Sequence, residues 1–556
     1  MSAKTRGRSG TRTVFTVLAV LLLAAIALCG GSLALMSYLS SRPTSSELTL
    51  QVAYSPEKKE LFEQVAQRFN ESKPRLSDGR RVKLVVSSVD PDEMVEKAGD
   101  NLYHAVSPDS SIWLAEIDRQ WARRQGTDVT LVGETTRYMV SPVVIAMWDE
   151  VARSLGYPDK ELGWQDVLKA AMERPDFKWS HPSANTASGM LATLALFYAG
   201  AGVTRGLTEE MATAKGTLDY VGQVEKTVKH YGEGELAVME QIELQGRDYL
   251  DAFVVQEQMV VRYNARHGGG LVAIYPLEGT LWEDHPLALL EHPSRTDEER
   301  LAYNLFKEFL LSPEIQMLIL RQGYRPTDLT IPLDHPESPI KAANGVDPAK
   351  PYTTLQIPSP SVISVVRNAW QYTKRHTNIY LVSDVSGSME GAKLADAKAA
   401  MKVFLDQIQG DQERVGLIVF STNVREVVPL TQLKEGRAKL ESAVEELSAG
   451  GQTSLLDAVK LALIKLEDLH DTERINAVVV MTDGKENRSR TTLDELSGQL
   501  RRASKSEVRI VVFCIAYGAD ADFNMLERIS GASGGFTKRG DLETIKGLYK
   551  TLSTYF

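Results

Sequence analysis

Seven prolines, Pro332, Pro336, Pro339, Pro348, Pro351, Pro358 and Pro360, lie between residues 328 and 360. Proline fixes φ and has no N–H to donate, so neither a helix interior nor a central strand passes through such a run. The stretch 328–376 therefore reads as a semi-extended linker, parts of which can pack on a domain surface. It divides a chain of 556 residues, a length that at roughly 100–200 residues per domain allows about three domains. Hydrophobic residues make up 43% and charged residues 24%, enough apolar material to exclude wholesale disorder.

Both sides of the linker carry an α/β pattern. Upstream, 48–53 alternates as a strand, 56–69 has helical apolar spacing, and 81–87 is a second strand. The alternation continues to about residue 324 and predicts a sheet with helices on its faces. Downstream, apolar strands are predicted over 378–382, 414–420, 475–481 and 508–515, with helices over 393–407, 455–469, 522–529 and 542–552. Apolar strands separated by helices imply a mainly parallel sheet covered on both faces.

The N-terminus has a different character. Lys4, Arg6, Arg8 and Arg12 precede a charge-free run over 13–41, long enough for the roughly 20 helical residues that span a bilayer. The expectation is a cytoplasmic basic tail over 1–12, one transmembrane helix over 13–41, and a single-pass cell-membrane protein whose bulk is extracytoplasmic. A cleaved signal peptide ending near Ser32-Leu33-Ala34 and a lipoprotein modified at Cys29 are the alternatives. The net charge of −10 argues against nucleic acid as a partner. Cys29 and Cys514 are the two cysteines; one lies in the apolar run and one in a predicted strand, so neither a disulfide nor a zinc site is expected. No Gly-x-Ser-x-Gly, His-Glu-x-x-His or P-loop motif is present, and no enzymatic activity is expected.

Three groups of oxygen-bearing residues fall where ligands bind in open α/β sheets, outside the carboxyl ends of strands. They are Asp384-Val385-Ser386-Gly387-Ser388-Met389, Gly451-Gln452-Thr453 and Thr482-Asp483-Gly484. Alternate residues of an extended segment share a side, so Asp384, Ser386 and Ser388 can converge. Taken singly, each group has a plainer reading: a serine-rich turn, an N-cap at Thr453, a turn at Asp483. Together, Asp384, Ser386, Ser388, Thr453 and Asp483 offer only hard oxygen donors. That set suits Mg²⁺, or Mn²⁺ or Ca²⁺, and leaves a coordination position for a partner's Asp or Glu. In order and spacing this pattern resembles the von Willebrand factor A family over 377–556. The resemblance implies a Rossmann-like fold with a central, mainly parallel sheet. It also implies direct coordination by Ser386, Ser388 and Thr453, with Asp384 and Asp483 often acting through water.

Upstream, the segments beginning Gln51-Val-Ala-Tyr-Ser-Pro-Glu, Val106-Ser-Pro-Asp-Ser-Ser, Val140-Ser-Pro-Val and Ser180-His-Pro-Ser, with Gly323-Tyr-Arg-Pro326 near the end, resemble an extracellular solute-binding protein over 47–327. The resemblance implies a two-lobed, periplasmic-binding-protein-like fold of type II. Ser55, Ser110, Ser111, Thr186 and Ser188 sit where the chain enters helices, whose free N–H groups suit an anionic or polar ligand, although each residue also reads as a plain cap. Tyr275, with Glu278, marks a further candidate cleft segment. The function expected is a membrane-anchored binding or adhesion protein that engages a partner carboxylate through a metal, with the upstream domain sensing or presenting. The alternative is a substrate-binding receptor for transport or sensing, with the downstream domain as its docking module.

Overall fold

The structure, a computed structural model, describes residues 47–555 apart from 127, 233, 409, 505, 507, 542–543 and 554. The expectations placed on 1–41 therefore lie outside the described residues. Among the described residues no helix is long and apolar enough to cross a membrane.

The upstream part has two sheets. In the first, Glu47–Tyr54 pairs in parallel with Arg81–Ser88 and Ala105–Ser107, and Pro286–Leu290 joins antiparallel between Ala105–Ser107 and Val132–Arg137. The second is built around Met139–Trp148, which is flanked by Ala252–Gln256, Leu271–Ile274, Trp282–Glu283 and Arg325–Pro326. The chain passes from the first sheet to the second at Tyr138 and returns through Asp284 and His285. These crossings bring polar side chains to the seam between two lobes.

The proline-rich stretch is not extended throughout. Between its prolines, Ile340, Val346 and Leu355 are buried, and Thr354 bridges to Thr280. This half of the stretch lies on the second lobe because its few apolar residues have a core to join. Pro360–Thr373 is a helix, with Ser359 Oγ accepting from Val362 N at 3.4 Å. Proline at the first helical position gives up no hydrogen bond and has its φ preset, so it starts the helix where the sequence suggests a break. Val362, Ile363, Val366 and Trp370 bury the helix against Ala187–Ala201, Glu209–Thr213 and Lys215–Glu225. The Trp370 Nε1–H donates to Glu225 Oε1 at 2.9 Å.

The downstream sheet has six strands in the order Val424–Gln432, Arg414–Phe420, Thr377–Asp384, Ile475–Thr482, Ile510–Tyr517, Thr537–Gly540. All pairs are parallel except that of Val424–Gln432 with Arg414–Phe420. Every residue of Thr377–Asp384, Ile475–Thr482 and Ile510–Tyr517 is buried. Neighbouring residues serve opposite layers. Ile379 and Leu381 pack with the helices Ala392–Gln407 and Ile545–Ser553, whereas Tyr380 and Val382 pack with Leu455–Glu467 and its neighbours. This two-sided demand explains the unbroken apolar runs. The edge strand Val424–Gln432 is half-exposed and carries Arg425, Glu426 and Gln432, so it lacks the apolar run by which a strand is read. Cys514 is a buried free thiol.

Candidate functional site

The three downstream loops meet at the carboxyl rim of the sheet. Backbone hydrogen bonds tie the first to the second: Gly387 N donates to Gly451 O at 3.0 Å and Gly450 N to Val385 O at 2.8 Å. Gly451 has φ +93°, and a Cβ there would stand 2.5 Å from Thr422 Oγ1, so glycine is required. The third loop is tied to the second by Asn487, whose Oδ1 accepts from Thr453 N at 2.9 Å. Glu486 and Ser489 accept from the first free N–H groups of Leu455–Glu467, those of Leu456 and Asp457. The N-cap is Ser454 rather than Thr453, and the Thr453 hydroxyl is not used in capping.

All five predicted residues come together. Ser388 Oγ donates to Asp483 Oδ1 at 2.6 Å and lies 3.0 Å from Ser386 Oγ. Asp384 accepts from Ser386 N at 2.7 Å and from the Thr482 hydroxyl. A Cβ built on Gly484 would lie 3.3 Å from Thr453 Oγ1, 3.5 Å from Ser388 Oγ and 3.8 Å from Asp384 Oδ2. One small volume is thus ringed by oxygens from all three loops. Asp384 and Asp483 are fully buried while Ser388 is exposed, so two carboxylates lie beneath a solvent-facing hydroxyl. Burial lifts the Asp384 carboxyl above its ordinary value, hydrogen bonds from Thr482 and Ser386 oppose that, and the neighbouring Asp483 charge adds to it. Lys393, unnoticed in the sequence, pairs its ammonium with Asp483. Hard oxygen donors around two crowded carboxylates fit a divalent cation of the Mg²⁺ class. Gly484→Ala should weaken Mg²⁺ binding by about tenfold, as perturbing the surroundings of a site does, while leaving the melting temperature of the metal-free protein nearly unchanged. Titration calorimetry beside a thermal melt checks both halves.

The upstream residues divide. Thr186 and Ser188 line a cavity of about 1050 Å³ between the lobes. Thr186 Oγ1 accepts from Gly189 N at 3.2 Å, so it caps its own helix. Ser55 and Ser110 are buried beside the cavity: Ser55 Oγ donates to Glu57 Oε1 at 2.6 Å, and Ser110 Oγ accepts from Ile112 N at 3.4 Å. Ser111 N is held by Asp284 Oδ1 at 2.7 Å. Tyr275 donates to Glu257, which is paired with Arg325, and Tyr275 is not part of the cavity wall. Glu278 accepts from Trp164 N at 3.1 Å and caps the helix that starts there. Several of these residues thus serve the protein's own helix starts, while Thr186, Ala187 and Ser188 open the helix Ala187–Ala201 on the cavity wall. The wall also carries Glu57, Asp109 and Glu235, all missed in the sequence. The signal was available in acidic residues next to the serines of the quoted turns.

Residues 378–551 match the von Willebrand factor type A domain model and residues 50–325 the bacterial extracellular solute-binding protein model. The inter-alpha-trypsin inhibitor heavy chain H4 of Homo sapiens is 28% identical over 169 residues, 29% of this chain and 18% of that protein. The chain thus spans less than a fifth of that relative. Among solved structures, the periplasmic binding protein P5PA is 13% identical with a TM-score of 0.41, covering 58% of this chain and 99% of its own. A von Willebrand factor type A protein from Catenulispora acidiphila is 22% identical with a TM-score of 0.29, covering 33% and 43%. The chain thus joins a solute-binding-protein-like domain to a von Willebrand factor type A-like domain.

Proposed function

We propose that this is an extracytoplasmic, non-enzymatic binding protein that engages a protein partner through a divalent metal. Ser386, Ser388 and Thr453 would hold the ion directly, Asp384 and Asp483 would supply charge behind them, and a partner's Asp or Glu would complete the coordination. Mg²⁺ is the first choice for this donor set. The observation that carries the reading is the ring of oxygens around Gly484, drawn from three loops at an exposed rim. Residues 13–41 would serve as the membrane anchor, and the upstream domain would sense or present. A second reading, a solute receptor that docks through its downstream domain, is favoured by one feature: the cavity wall includes Gln407, Ile408 and Lys550 of that domain.

The test uses the immobilised full chain and a library of short peptides bearing a single Glu, each with a matched Gln version. Glu peptides should be retained in Mg²⁺ and released by EDTA, with at least a tenfold difference, and Gln peptides should not be retained. Retention that ignores EDTA would remove the metal from the reading.

A further inference from the structure

The cavity is walled by both lobes, the linker helix and the downstream domain, and carboxylates of the two lobes stand on its wall. Glu57, Asp109 and Glu235 reach its wall. Glu283, at the crossing back to the first lobe, is fully buried, and neither of its carboxylate oxygens has a hydrogen-bond partner. It feels the charges of Glu235, Asp109 and Glu57, although it does not itself line the cavity. Burial, with the Glu57 charge beside it, pushes the Asp109 carboxyl up to about 8.

The ammonium of Lys58 is set against them. Lys58 is buried, its Nζ donating to Pro108 O at 2.7 Å and Ser107 Oγ at 3.2 Å. His285 lies 3.4 Å from it, and burial holds that ring well below its usual value and so neutral. The cations of the cavity wall are engaged elsewhere: Lys97 with Glu93, Lys550 with Asp92, Lys374 with Glu413, Arg367 with Glu116, and Lys538 over the Phe536 ring. The Tyr324 hydroxyl is also buried without a partner and feels Glu57, Glu235 and Glu283. Buried carboxylates that exceed their counter-charge are tolerated when protonated or when something positive enters.

A single metal ion needs its ligands within about 2.5 Å of one point. These carboxylates are not gathered closely enough, three at a time, to ligate one ion. They come from well-separated segments of both lobes around a space of about 1050 Å³. We propose that this cavity takes a small organic cation carrying more than one amine, held by Glu57, Asp109 and Glu235 on its wall, with the unpartnered Glu283 adding negative charge from behind it. The inference rests on the upstream domain being a ligand cleft and gives that cleft a charge preference opposite to an anion.

Isothermal titration of the full chain with spermidine, calcium chloride and sodium sulfate tests it, beside thermal melts. Spermidine should bind with one-to-one stoichiometry and raise the melting temperature. Glu283→Gln and Glu235→Gln should each weaken it at least tenfold. The ligand-free Glu283→Gln protein should melt no lower than wild type, because an unpaired buried carboxylate has been removed; lost binding is then not lost folding. Wild-type spermidine affinity in both variants overturns the proposal, as does a response to calcium alone. A response to sulfate alone overturns it while leaving the cleft standing, and silence toward every probe removes both.

Discussion

Asp384→Asn is expected to lower Mg²⁺ affinity by about a hundredfold or more, at the upper end of what altered metal surroundings cost. The carboxylate is fully buried between the Ser386 amide and the Thr482 hydroxyl. The amide replacing it keeps the shape and an acceptor but supplies no charge to a cation beneath the rim. Stability should respond in the opposite sense to binding. Without metal, Asp384 and Asp483 repel each other across the site, so the variant should melt at or above wild type. With metal at a hundred times its dissociation constant, wild type should gain about 2.7 kcal/mol from binding, and the variant should gain almost nothing. Thr453→Val provides the complementary case. Its hydroxyl faces the same volume yet caps no helix, so its loss should weaken Mg²⁺ while leaving the fold intact. Calorimetric titration with thermal melts in Mg²⁺ and in EDTA reads all of this. Wild-type affinity in both variants would mean that the five residues are not the metal centre.

The downstream domain was legible because its physics is periodic. Strands buried on both faces must be apolar throughout, and loops at their carboxyl ends can then be located by counting. Asp384, Ser386, Ser388, Thr453 and Asp483 stood out on that basis, and the structure brings all five together. What supports them was hidden. Asn487 and Glu486 act across about 30 residues on Thr453 and Leu456, and Lys393 reaches Asp483 from a helix 90 residues away in sequence. Such partners have no local signature. Upstream, the serines were visible as turn formers, and turn forming is most of what they do: Thr186 caps its own helix and Ser110 its own turn. The acidic cavity wall depends on Glu57 and Asp109 of one lobe facing Glu235 of the other. Only the crossing of the chain at Tyr138 and His285 brings them together. The linker shows the same limit. Its prolines were read as breaks, yet Pro360 opens a helix whose Trp370 completes a core formed by distant residues.

Glu413→Gln is expected to destabilise the protein by about 3–5 kcal/mol at pH 7, the usual loss when one partner of a buried ion pair is removed. Glu413 is fully buried where the linker helix hands over to the central strand of the downstream domain. Its carboxylate takes the Lys374 ammonium at 3.0 Å, the Thr377 amide at 2.6 Å, the Thr377 hydroxyl, and His376 Nδ1 at 3.2 Å. Glutamine can still accept from the Thr377 amide. It removes the carboxylate charge that the Lys374 ammonium, only 4% exposed, is set against. The same contacts predict an acid dependence. Burial alone would raise the carboxyl; Lys374, His376 and Thr377 outweigh it and hold it at about 2, against about 4.3 for an unconstrained glutamate. A depressed folded-state value means that the unfolded chain binds the proton first, so this stabilisation is complete above about pH 4.3 and is lost as pH falls toward 2. At 1.36 kcal/mol per unit the loss is about 3 kcal/mol. Denaturant midpoints between pH 7 and 2 should fall less steeply in the variant, which has no carboxylate there to protonate. Adding Lys374→Met to Glu413→Gln should recover part of the stability, because a buried positive charge no longer offset by Glu413 carries most of the cost. If the single variant matches wild type at pH 7, the pair does not fasten the linker to the sheet.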